Sequence, residues 1–72
     1  MEETIFLRGE FIKLDQALKV VLGVGGGEAK DIILSGSVFV NGEEELRRGK
    51  KLRDGDTVLF EDTKIYIKES TE

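Results

Sequence analysis

Apolar residues recur along this chain with two different periods. From Leu14 they fall at Leu14, Ala17, Leu18, Val21 and Leu22, the i, i+3, i+4, i+7, i+8 stripe of an amphipathic helix. Gly23 follows as a helix stop. A shorter helix is expected from about Gly26 to Ser35, with Ala29, Ile32 and Ile33 on one face and Gly36 as its end. Two short helices joined by a glycine-rich turn make a helical hairpin. Beyond Gly36 the period drops to 2. Val38-Phe39-Val40 alternates, Asn41-Gly42 is a strong short-range hairpin signal, and Asp54-Gly55-Asp56 marks a turn before Thr57-Val58-Leu59-Phe60. A last strand, Lys64 to Lys68, puts Ile65 and Ile67 on one face, and Ile5-Phe6-Leu7 reads as a short edge strand before a turn at Gly9. The pattern predicts an α+β fold, a helical hairpin packed on a small, mostly antiparallel sheet, forming a single domain over residues 1–72.

Composition removes most chemistries from this scaffold. The chain has no Cys and no His, so disulfides, thiolate ligands and the usual general base are absent. Fifteen carboxylates guarantee some near neighbours, but no spacing singles out an acid and a base or a metal site. No enzyme activity, cofactor or metal is expected. Acid at Glu2 and Glu3, where a signal peptide carries base, and the lack of a membrane-length apolar run point to a cytoplasmic protein.

The run Gly23-Val24-Gly25-Gly26-Gly27-Glu28-Ala29-Lys30 resembles a phosphate-holding loop at first sight. A P-loop ends in Gly-Lys-Ser/Thr, whereas Lys30 here follows Ala29 and precedes Asp31. The dinucleotide fingerprint needs a strand before its glycines, and this chain has a helix there. Two readings remain: glycines that let two helices turn and pack, or backbone N–H groups of Gly26 and Gly27 that meet a phosphate at the start of the second helix.

Charge adds a sharper signal. The net charge is −4, yet Arg47-Arg48-Gly49-Lys50-Lys51-Leu52-Arg53 holds five of the eleven basic residues and no acid. Such a cluster suits phosphate oxygens, on which Arg forks and Lys acts as a point charge. The alternative is that Glu43, Glu44 and Glu45 pair with Arg47, Arg48 and Lys50 as surface ion pairs worth about 0–1 kcal/mol each. Phe39 alternates with Val38 and Val40, so it points outward if those two face the core, to pack on a neighbour or stack on an unpaired base. Phe6, Phe11, Phe60 and Tyr66 are assigned to the core or its margin.

Several of these segments together resemble a known family. They are Lys13-Leu14-Asp15-Gln16-Ala17-Leu18, Glu28-Ala29-Lys30-Asp31-Ile32-Ile33, Gly36-Ser37-Val38-Phe39-Val40-Asn41-Gly42 and Gly55-Asp56. The set is similar to the RNA-binding domain named after small-subunit ribosomal protein S-four, over roughly residues 5 to 60. The added Arg47-Arg48-Gly49-Lys50-Lys51-Leu52 looks most like its free-standing bacterial YaaA-type members. The resemblance implies a non-catalytic monomer that binds structured RNA, ribosomal or transfer RNA, with a role in ribosome assembly and contact with a ribosomal subunit. Lys13, Lys30, Arg47, Arg48, Lys50 and Lys51 match its basic positions, and Arg53 extends the same cluster. Many members carry Ser-Arg where this chain has Gly26-Gly27, so backbone contact would replace an arginine there.

The resemblance also implies that Lys13 and Lys30 share one face with Arg47, Arg48, Lys50 and Lys51, which has a consequence for the acids. Glu2, Glu3, Glu61, Asp62, Glu69 and Glu72 should crowd the far side and the tails. Two other classes stay in view. Ubiquitin-like sulphur carriers share Val40-Asn41-Gly42-Glu43 and Asp54-Gly55-Asp56-Thr57-Val58 but need a terminal Gly-Gly, whereas this chain ends Lys68-Glu69-Ser70-Thr71-Glu72. A protein–protein adaptor without nucleic acid is the third reading.

Overall fold

A computed structural model describes residues 1–70. Helix α1 spans Leu14–Leu22 and α2 spans Gly26–Leu34. Gly23 caps α1 with φ 70°, and its N–H donates to the Lys19 carbonyl at 2.9 Å. This is the left-handed helix end that glycine adopts without a Cβ penalty.

Seven strands complete the fold of the described residues. They are β1 (Glu2–Leu7), β2 (Ile12–Lys13), β3 (Val38–Val40), β4 (Glu43–Glu44), β5 (Lys51–Leu52), β6 (Thr57–Phe60) and β7 (Thr63–Glu69). Five of them form one sheet in the order β1-β7-β6-β3-β4, and β2 pairs with β5 as a separate antiparallel ribbon. The large sheet is antiparallel except where β1 runs parallel to β7, with Glu2 opposite Lys64 and Leu7 opposite Glu69. Asn41 and Gly42, with φ 53° and 85°, turn β3 into β4. Two successive positive φ values define the type I′ turn whose twist suits a hairpin. Asn41 is held there by its side chain, which donates to Asp56 Oδ1 at 3.0 Å and accepts from the Thr57 N–H at 2.9 Å.

The helices and the sheet bury one apolar cluster. Leu14, Ala17 and Leu18 of α1 and Ala29 and Ile33 of α2 meet Val38, Val58, Ile65 and Ile67 from alternate positions of the strands. Leu52, fully buried, fastens the β2–β5 ribbon to the same cluster. Burying a leucine of this kind contributes about 1.5–3 kcal/mol, so the ribbon is anchored by its inward residue while its outward residues stay in water.

Phe39 is turned outward as its alternation requires, with Val38 and Val40 buried on either side. Phe60 and Tyr66 are half-buried, as expected. Phe6 is not a margin residue: it is 62% exposed, because it occupies the solvent side of an edge strand whose Ile5 and Leu7 face the core.

Candidate nucleic-acid interface

The basic segment is built onto the start of α1. No side chain caps that helix, and its first N–H groups find backbone partners in the loop: Leu14 N–H donates to the Lys50 carbonyl at 2.9 Å, and Asp15 N–H to the Arg48 carbonyl at 3.1 Å. These are among the donors that every helix leaves unsatisfied. Asp15 lies in the first turn, where its negative charge suits the helix dipole, and its Oδ1 is buried without a hydrogen-bond partner.

Pairing of β2 with β5 then decides which cations meet. Ile12 lies opposite Leu52 and Lys13 opposite Lys51. Since Leu14 N–H bonds to Lys50, the hydrogen-bonded pairs of the ladder alternate around Lys13–Lys51, leaving this as the close, unbonded pair with Cα atoms about 4.5 Å apart. Both ammonium groups therefore rise from the same face of the ribbon. Like charges directly opposite destabilise a strand pair, so the fold holds this arrangement at a local cost. Phe11 belongs to the same face. Its ring lies 4.9 Å from Lys51 Nζ and 5.6 Å from the Arg53 guanidinium carbon, and each such cation–π contact is worth about 0.5–1 kcal/mol when exposed. The ring thus fixes the heads of two cations over one small area.

Arg47, Gly49, Lys50, Lys51 and Arg53 line an open depression of about 540 Å³ with no carboxylate in its wall. Arg47 is the exception to its positive character. Its Nε donates to Glu45 Oε2 at 3.0 Å, and its N–H donates to the same oxygen at 3.1 Å. The Arg47 hydrogen bond holds the Glu45 carboxyl below the ordinary glutamate value and raises the Arg47 guanidinium in turn. Of the ion pairs considered between the acidic and basic runs, only this one forms among the described residues. Among the described residues, Arg48, Lys50, Lys51 and Arg53 are left without a carboxylate partner within ion-pair distance.

Lys30 and the glycine turn form a second, separate group. Lys30 is exposed on α2, one helical turn beyond Gly26, and a Cβ placed on Gly26 would lie 4.0 Å from Lys19 Nζ. Lys19 was not singled out by the sequence pattern, since it sits in the last turn of α1 as an ordinary dipole-favoured lysine. The glycine turn stands at the opposite end of α1 from the basic ribbon, and α1 is about 13 Å long. Gly27 has open space where a Cβ would go.

The acids do not all lie away from the basic ribbon. Glu2, Glu3, Glu61 and Asp62 gather at one end of β1 and β7, about 17 Å from the other end at 3.3 Å per residue. At that other end Glu69, with Glu10 and Asp54, shares a depression with Arg53. This corrects the expectation for Glu69, whose strand register carries it to the basic end. Glu72 lies outside the described residues. No helix of the described residues is long and apolar enough to cross a membrane, and they hold no cluster of metal-ligating side chains.

The fold is a small α+β module with a cation-rich ribbon docked on its first helix. The family of the S4 domain matches residues 5–68, and the chain belongs to it. The S4 domain is an RNA-binding domain and is not itself catalytic. Among solved structures, a crystal structure of a pseudouridylate synthase is similar at a TM-score of 0.67 and 25% identity, over 71% of this chain and 22% of that one. The likeness thus spans about a fifth of that enzyme. No curated protein matches the chain. Family membership sets aside the ubiquitin-like carriers that share its Val-Asn-Gly-Glu.

Proposed function

We propose that this chain is a non-catalytic cytoplasmic module, one RNA-binding domain over residues 1–72, that grips structured RNA through its phosphates. The observation that carries the reading is the Lys13–Lys51 pair, two like charges held opposite each other beside Arg53, with no carboxylate in the wall of the adjoining depression. An array that costs folding energy and whose Lys13, Lys51 and Arg53 form no ion pair among the described residues is suited to an external polyanion. Lys13, Arg48, Lys50, Lys51 and Arg53 are the contacts proposed. Lys30 and the N–H groups of Gly26 and Gly27 form a second contact a helix length away, where A-form RNA offers further phosphates. The Phe11 ring already lies beneath cations, which favours phosphate contact over base stacking and suits duplex RNA recognised by shape. A ribosomal RNA helix is the proposed partner, with a role in ribosome assembly. One chain supplies every group named, so the binding unit is the monomer.

The test is binding to a labelled ribosomal RNA hairpin at several salt concentrations. Four or five phosphates give a slope of log affinity against log salt of about −3 to −4.5, and Lys51→Gln with Arg53→Gln flattens it by about 1.4–1.8. No binding at low salt, or a slope that the double variant leaves unchanged, would overturn the proposal.

A further inference from the structure

The five-stranded sheet has two open edges, and they end differently. β4 closes one side with two residues, both glutamate, the short charged edge that discourages pairing. β1 closes the other with six residues. Lys64 N–H donates to the Met1 carbonyl at 2.8 Å. Alternation along the strand then turns the odd-numbered residues of β1 toward β7, so Glu2, Thr4 and Phe6 present their N–H and C=O groups to the open side. An apolar groove of about 370 Å³ runs along this edge, with Ile5, Phe6 and Leu7 on the strand side and Phe11, Ile12 and Val20 across from it. Phe6 is 62% exposed and Val20 68%. Unpaired backbone and uncovered apolar surface thus coincide along one strand.

We propose that this edge pairs with the same edge of a second copy of the chain, antiparallel and centred on Ile5. That register sets Glu2 opposite Arg8 and Thr4 opposite Phe6, and a two-fold axis repeats both pairs. Glu2, Thr4 and Phe6 share the solvent face of β1, Arg8 directly follows the strand at the mouth of the groove, and Arg8 has no carboxylate within ion-pair distance in its own chain among the described residues. Hydrogen bonding alone also permits shifts of two residues, and charge decides between them. A shift one way leaves Glu2 opposite Phe6 and Arg8 unmatched, and a shift the other way sets Glu2 against Glu10. Only the register centred on Ile5 pairs opposite charges. A single six-residue strand makes a small interface, so the association is weak and concentration-dependent. It does not rest on RNA binding.

Sedimentation of the full chain from roughly 2 to 200 µM at low salt tests it, with monomer expected at the bottom of that range and dimer at the top. Arg8→Glu turns both cross-strand pairs repulsive and raises the dissociation constant about tenfold or more. Glu2→Arg combined with Arg8→Glu restores the parent value. Thr4→Pro removes an outward N–H and none of the bonds to β7, and it abolishes the dimer. A parent that stays monomeric throughout, a Thr4→Pro variant that still dimerises, or a double charge swap that fails to restore association overturns the inference. Circular dichroism of each variant confirms that the fold is retained.

Discussion

Replacing Glu45 by Gln should strengthen RNA binding, although Glu45 itself is proposed to touch no RNA. In the parent chain Arg47 Nε and Nη2 donate to the two Glu45 oxygens at 3.0 and 3.4 Å. The Arg47 side chain is nevertheless 75% exposed, so it is open to solvent while held by an internal anion. Glu45→Gln removes that anion and leaves Arg47 to make one further phosphate contact. One added contact steepens the salt slope by about 0.7–0.9, which makes the variant-to-parent affinity ratio fall about 2.6- to 3.5-fold between 50 and 200 mM salt. Fluorescence anisotropy of a labelled RNA hairpin reads this directly. Glu43→Gln is the control, because it removes the same charge from the same segment, and Glu43 has no ion-pair partner among the described residues. The effect has a pH counterpart. The Arg47 hydrogen bond lowers the Glu45 carboxyl in the folded chain, so the pairing contributes fully above the unfolded value and is lost as pH falls through the lowered folded one. Parent and Glu45→Gln should therefore converge in affinity on the acid side and differ near neutrality. If Glu45→Gln and Glu43→Gln share the parent's slope, Arg47 is not held in reserve and the reasoning is wrong.

Two further predictions concern turns. Gly27 has open space at its Cβ position, so Gly27→Ala should raise stability by about 0.4–1 kcal/mol in thermal melts while weakening RNA binding on the same preparation, and equal RNA affinity would show that no phosphate approaches that backbone. Asn41→Ala loses the side-chain bonds to Asp56 and Thr57 and places alanine at φ 53°, so it should cost about 1–2 kcal/mol and lower Tm by about 5–15 °C; an unchanged Tm would refute the role given to the side chain.

The elements that could be read from the sequence are those whose signal is local. The stripe from Leu14 to Leu22 gives α1 to the residue, and Asn41-Gly42 gives the hairpin, because helix periodicity and turn chemistry are both fixed within a few positions. The β2–β5 ribbon could not be read this way. It has two residues on each side, too few for alternation to register, and its partners lie 40 and 38 positions apart. A similar separation hides Phe11, which reads as a margin residue and lies under Lys51 and Arg53. Phe11-Ile12-Lys13 and Lys51-Leu52-Arg53 each alternate once around an inward apolar residue, half-buried Ile12 and buried Leu52, and that is the whole of the available signal. The cluster at Arg47–Arg53 was visible as charge, but which of its members was already neutralised depended on side-chain geometry that no spacing rule supplies.

The way the basic loop is fastened separates what can vary from what cannot. Its attachment to α1 runs through the main-chain carbonyls of Arg48 and Lys50, groups that every amino acid carries, while the side chains at those positions are turned to other uses. Substitutions along the loop can thus retune affinity and selectivity for a partner with little effect on the joint that holds it. Insertions and deletions cannot, since they would slide the carbonyls off the amides of Leu14 and Asp15. Descendants of this sequence should therefore diverge freely in the identity of their loop cations and hardly at all in the number of residues between Glu45 and Leu52, and the exchange of the Leu14 and Asp15 amides with deuterium should report the opening of the loop rather than the fraying of the helix.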